Sequence, residues 1–196
     1  MKLVLASQSA ARRAMLTAAD VPFEAIAAPV DEAAVKAALA GAPARDLADR
    51  LAELKALKGA LLRPEALVVG SDSVVALADG RLLDKPASRE EAAEHLQAMA
   101  GSRLTLVSAA VVAEGPRAVW RHVSEARLTV RPLSPDFIAR YLAQEWPAIA
   151  GCVGCFRIEG PGVQLFSRIE GDHFTILGLP LLPLLDYCRI RGVLAS

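Results

Sequence analysis

Arg12 and Arg13 stand side by side in "LASQSAARR" (residues 5–13), just inside what reads as a helix start. The helix macrodipole places partial positive charge there, so acidic residues are the usual occupants. An anion at that end removes the conflict. Free backbone N–H groups, the hydroxyls of Ser7 and Ser9 and two fork-shaped guanidinium groups together suit a polyphosphate. The competing reading is a solvated helix with ordinary surface arginines. A second group is Asp72 in "VVGSDSVV" (68–75), read as the end of an apolar strand after Gly70. In α/β sheets ligands commonly bind at the C-terminal ends of strands. A carboxylate there can hold a divalent metal or take a proton from water. A turn aspartate accepting backbone hydrogen bonds is the alternative.

Lys85 lies in "LLDKP" (82–86), where the following proline restricts its backbone. It can meet a phosphate as a point charge or stand exposed in a turn. Glu32 in "PVDE" (29–32) can complete a metal site with Asp72, or serve as half of an acidic pair at a helix N-terminus. "CVGC" (152–155) has the spacing of a redox pair or of half a zinc site. It lacks a second such pair, which favours structural thiols. His95 and His122 show no serine or cysteine partner pattern and read as structural or solvent-facing. The segment 156–181 carries glycine at 160, 162, 171 and 178, so the backbone either wraps close to something or forms tight hairpins. Neither a G-x-x-x-x-G-K-[ST] loop nor a G-x-G-x-x-G following a strand is present, which disfavours those two modes of nucleotide binding.

The elements that must position these groups follow from periodicity and punctuation. Residues 2–6 read as a buried strand, 9–20 as a helix, 21–29 as a strand and 31–39 as a helix. A helix is predicted over 44–62, with Leu47, Leu51 and Leu54 at helical spacing. Residues 66–84 are β-rich, with an Ala-Asp-Gly turn at 78–80. Ser88 and Glu91 form a capping-box pattern and Gly101 closes that helix. Residues 104–131 alternate as two long antiparallel strands joined at Glu114–Arg117. Ser134 caps a further helix with Pro135 at its first position. The tail alternates short strands with glycine turns before a last helix, "PLLPLLDYCRI". The outcome is a mixed α/β protein with crossover and hairpin connections.

Composition sets the background. The 196 residues are 54% hydrophobic, enough for a sizeable core, with a formal net charge of +0. That balance gives no general attraction to nucleic acid or to acidic membranes. Three cysteines are too few and too uneven for a disulfide framework and point to a reducing cytosol. The longest apolar stretch, 175–185, is too short to span a bilayer and holds two prolines. The opening residues lack the long apolar region of a targeting segment.

Taken in order, "LASQSAARRAML", "PVDE", "LAELKA", "VVGSDSVV", "LLDKP", the helix end "MAG" and "IEGDHFTILGLPL" resemble the Maf family of nucleoside triphosphate pyrophosphatases over essentially the whole chain. The resemblance implies one Maf-like domain over 1–196, with an α/β fold like that of the inosine triphosphate pyrophosphatases. In that fold an elongated mixed sheet with flanking helices makes two lobes around a cleft. It implies a cytoplasmic enzyme that cleaves a nucleoside triphosphate to the monophosphate and diphosphate with a divalent cation (Mg, Mn or Co), and it admits a homodimer. Nucleic acid and membrane are not expected partners.

By the same resemblance, Ser7, Arg12, Arg13, Lys55 and Lys85 meet the phosphates. Asp72 is catalytic and shares the metal with Glu32. Ala11, Ser73 and Glu159 fall on specificity positions. Arg12 and Lys85 are expected to be exposed. The chain departs from the family pattern at Ala10, Ala11, Ser73 and Val153-Gly154. It also has Leu54-Lys55 where the family has Glu-Lys, with Glu53 turned about 100° around the helix. "RIEGPG" (157–162) resembles the branch acting on 7-methyl-GTP more than the branch acting on dTTP and UTP. The carboxylate of Glu159 only accepts, which suits the donating edge of guanine. Two rivals remain: a nucleotide-binding regulator of septum formation and cell division without turnover, and a phosphohydrolase of another kind that releases single phosphates.

Overall fold

A computed structural model describes residues 2–195, so the expected domain limits, 1 and 196, lie outside the described residues. The first strand, β1 (Leu3–Ala6), is buried along its whole length. Such an apolar run is what a strand covered on both faces requires. Helix α1 (Ala10–Ala18) starts at Ser9, whose hydroxyl accepts from the Arg12 backbone N–H. Strand β2 (Phe23–Ile26) and helix α2 (Glu32–Ala38) follow, the latter capped by the Asp31 side chain. Helix α3 (Ala44–Leu62) buries Leu47 and Leu51 as their spacing predicts. Strand β3 (Leu67–Leu77) turns at 78–80 into the short β4 (Leu82–Leu83).

Helix α4 (Arg89–Met99) is capped by Ser88. The Glu91 carboxylate reaches back to the Ala87 N–H at 2.7 Å, one residue before the position a capping box uses. Strands β5 (Arg103–Glu114) and β6 (Arg117–Val130) are the predicted long hairpin. Helix α5 (Pro135–Glu145) begins at Ser134 as expected. The glycine-rich tail departs from the expected turns and hairpins. It holds a 3₁₀ turn at Pro161–Leu165, strand β7 (Phe166–Glu170) and a five-residue helix, α6 (His173–Leu177), before α7 (Leu181–Ile190).

The mixed sheet has seven strands among the described residues, in the order β2-β1-β3-β5-β6-β7, with β4 pairing β3. β1 runs parallel to both β2 and β3, with Ala6 opposite Gly70 as the last pair with β3.

The chain divides into two units. The first comprises Met1–Ser73, Val107–Ser124 and Asp172–Ser196. Its core packs Leu3, Leu5, Leu16, Leu67, Val69 and Leu184. The second comprises Val74–Leu106 and Glu125–Gly171. There Phe156 meets Phe166 edge-on at 4.9 Å, and the buried carboxylate of Glu145 is held by Arg157 through contacts of 2.9–3.0 Å. Among the described residues no helix is long and apolar enough to cross a membrane.

Candidate active site

Asp72 corrects the sequence reading. It lies within β3, which continues for five more residues, and does not end it. The strand continues because Val75 and Ala76 find antiparallel partners in β4. Yet the parallel pairing with β1 stops at Gly70, so Asp72 sits two residues past it, near Ser7, which follows the last residue of β1. The local geometry therefore keeps the advantage of a strand end.

Gly70 explains how a lysine from α3 reaches that carboxylate. A Cβ on Gly70 would stand 2.1 Å from the Ala52 carbonyl oxygen and 2.3 Å from the Ala56 nitrogen. Helix α3 thus lies directly against β3, and Lys55 projects from that contact. Its Nζ donates to Asp72 Oδ1 at 2.6 Å and pairs with Glu32 Oε1 at 2.7 Å. Lys55 and Asp72 are only 13% and 11% exposed at their side chains, so water screens this pair weakly. Glu32 stands in the first turn of α2, as one of its two readings had it, and its carboxylate converges with that of Asp72 on the Lys55 ammonium. Glu53 turns away from this trio, as its position on the helix requires, and binds Arg50 at 2.7 Å and Arg121 at 2.9 Å.

Arg12 is the second correction. It was expected on the surface, but only 9% of the residue is exposed. Its guanidinium donates from Nε to the Gly178 carbonyl at 2.6 Å, from Nη2 to Ser73 Oγ at 2.9 Å and from Nη1 to Ser7 Oγ at 3.4 Å. These partners are neutral oxygens. Burial pulls its pKa below the usual arginine value, opposed by the nearby charges of Asp72 and then Glu32. The C-terminal end of α6, where carbonyls carry partial negative charge, relieves the charge conflict noted at the start of α1. Gly178 itself is left-handed at φ 100°. A Cβ there would come within 3.1 Å of Ser73 Oγ and 3.4 Å of Arg12 Nη2, so glycine alone fits.

The structure therefore gathers Ser7, Arg12 and Ser73 in one set and Glu32, Lys55 and Asp72 in another, all in the first unit. Arg13 is exposed on α1 and Ala11 is half-buried there. Lys85 and Glu159 belong to the second unit, where both are exposed. Sequence reasoning missed Ser71 and Ser108, both fully buried. For Ser108 the available signal was a lone hydroxyl in an apolar strand, which needs a buried partner. His95 fits its structural reading and has a partner the sequence did not show: its Nδ1 lies 3.4 Å from Cys155 Sγ. Helix α4 and the turn after α5 bring the two together, which no local pattern reveals.

Comparison with known proteins identifies the family of the chain. The family described as Maf-like protein matches residues 2–190. The chain is 53% identical over 195 residues to a protein of Sphingopyxis alaskensis named nucleoside triphosphate pyrophosphatase, covering 98% of each. It is 47% identical to one of the same name from Hyphomonas neptunium, covering 99% of this chain and 98% of that protein. It is 48% identical to a protein of Rhizobium meliloti named 7-methyl-GTP pyrophosphatase, covering 98% of this chain and 97% of that protein. With a match that runs through β1, α1, α3, β3 and the α6 turn alike, this chain belongs to the Maf family.

Proposed function

We propose that this protein hydrolyses a nucleoside triphosphate to the monophosphate and diphosphate. The observation that carries this reading is the pairing of two charge sets. Two carboxylates converge on Lys55 Nζ, and a buried Arg12 is held only through neutral oxygens in the contacts described. A guanidinium whose hydrogen-bond partners are neutral oxygens keeps its full charge for an incoming anion. The names of the relatives support a triphosphate as that anion.

A divalent cation fits the donor set. Glu32 and Asp72 already share one cationic nitrogen, and the described residues hold no cluster of three or more His, Cys, Asp or Glu. Two carboxylates completed by water and substrate phosphate oxygens match the habit of Mg²⁺. When bound, the ion would neutralise charge on the phosphate oxygens. Lys55 hydrogen-bonds Asp72 Oδ1 and so orients the carboxylate, leaving Oδ2 to take the proton of an attacking water. The water oxygen bonds to the α-phosphorus and the α–β bridging bond breaks. Diphosphate leaves with its charge stabilised by Arg12 and Arg13. The Rhizobium relative's name and the acceptor-only side chain of Glu159 support 7-methyl-GTP as a preferred substrate.

The test uses a panel of nucleoside triphosphates including 7-methyl-GTP, GTP, UTP and dTTP with Mg²⁺, Mn²⁺ or Co²⁺, scored by released diphosphate. Asp72→Asn is expected to fold normally and to lose at least ~10²-fold in kcat. Near-wild-type turnover in the folded variant overturns the role of Asp72. Binding without turnover favours a sensor, and stepwise phosphate release favours another phosphohydrolase.

A further inference from the structure

We propose that Ser108 is a positioning residue for the triphosphate, acting on Arg12 through Ser73; this rests on the pyrophosphatase reading above. Ser108 is fully buried on β5 and its hydroxyl donates to the Thr175 carbonyl of α6 at 2.8 Å. A serine has one hydroxyl proton, so Ser108 has none left for Ser73, 2.9 Å away. Ser73 must donate to Ser108 Oγ. That turns the lone pairs of Ser73 towards Arg12 Nη2, at 2.9 Å. The other acceptor open to Ser73, the Gly178 carbonyl, is farther at 3.5 Å.

The chain of hydrogen bonds thus has one direction: Arg12 to Ser73, Ser73 to Ser108, Ser108 to Thr175. Each bond polarises the next, and together they specify one rotamer of Ser73 and one plane for the guanidinium. Ser71 braces the other side, with its Oγ 2.8 Å from the Ala109 carbonyl and 3.0 Å from that of Gly178. Helix α6 is tied to the same set through Asp172, whose carboxylate accepts from the Thr175 N–H at 2.9 Å. Without Ser108, Ser73 is free to turn its proton towards Gly178, and Arg12 loses a fixed acceptor. The guanidinium then meets the phosphates in several orientations instead of one.

The experiment is a double-mutant cycle of Ser108→Ala with Arg12→Met, read by steady-state kinetics on the best triphosphate of the panel and by thermal melting. Ser108→Ala alone is expected to raise KM about fivefold, the effect of one lost hydrogen bond, with kcat changed less than about twofold. In the Arg12→Met background the same substitution is expected to leave kcat/KM unchanged, because the group it positions is gone. An unchanged KM in Ser108→Ala overturns the proposal, as does an equal loss in both backgrounds, which marks a purely structural effect. If Ser108→Ala does not fold, Ser108→Cys, close in volume and weaker as an acceptor, runs the same cycle with the same criteria. A wild-type enzyme inactive on every triphosphate removes the pyrophosphatase reading and this proposal together. An active wild type with an insensitive Ser108 removes this proposal alone.

Discussion

Arg12 shows how burial changes what a residue does. On the surface its loss would alter stability by roughly ±0.5 kcal/mol. Buried, with Gly178, Ser73 and Ser7 as its acceptors, it shapes the packing around α1 and α6 as well as the charge. Arg12→Ala is expected to cost about 1–3 kcal/mol, from the void and the acceptors left without a donor. Arg12→Met fills most of that volume without a charge to desolvate, and should recover most of the stability. Neither variant should keep the wild-type KM for a triphosphate. Urea melts alongside kinetics check this, and equal stability of the two variants would contradict it. Lys85, exposed in the second unit, is expected to affect kinetics alone.

At the scale of elements, the contact of α3 with β3 governs the trio of Lys55, Asp72 and Glu32. Gly70 permits it, because the space a Cβ would need is filled by the Ala52 carbonyl and the Ala56 backbone. Gly70→Ala must push α3 outward and carry Lys55 with it. The expected loss is at least about 3 kcal/mol, the upper range for an overpacked core, together with a fall in kcat. Denaturant unfolding and turnover on the same preparation test it, and a stable, fully active variant would show that α3 can shift without moving Lys55. The short helix α6 works by the same logic. Asp172 starts it, Gly178 ends it, and its last carbonyls face Arg12 and the serines of β3 and β5.

For the molecule as a whole, stability should fall in alkaline solution, with each unit contributing. Burial pushes the Cys155 thiol of the second unit up to about 12, with Cys152 and Glu91 adding to it, and the Cys188 thiol of the first unit up to about 11, both from 9.0. Between pH 9 and these values the folded chain keeps protons that the unfolded chain releases. The stabilisation is therefore complete below pH 9 and is lost as pH rises through about 11 and 12. Burial also raises Tyr141, from 10.0, which adds the same sign at higher pH. The unfolding free energy is expected to drop as pH rises from 9 towards about 11, and to drop less in a Cys155→Ala, Cys188→Ala variant. Equal slopes in the two proteins would rule the thiols out.

Much of the fold was legible because its signals are local. Helix α3 keeps its predicted bounds of 44–62 because leucine spacing and the flanking prolines act within a few residues. The turn between β5 and β6, and the Ser134-Pro135 start of α5, are likewise written in adjacent residues. Helix α6 escaped notice because five residues are too few to show a helical period. Candidates for chemistry were also readable: Arg12 and Asp72 by their neighbours, Lys55 and Lys85 through family resemblance. Their partners were not. Arg12 meets a carbonyl 166 residues away, and Lys55 meets an aspartate 17 residues on, across a helix–strand contact that only packing creates. The sequence alone determined which groups are present and which elements carry them. The tertiary structure decided that Arg12 is buried, that Asp72 lies within a strand, and that the hydroxyls of Ser7 and Ser73 accept from the arginine, because burial and hydrogen bonding between distant segments depend on how the elements pack.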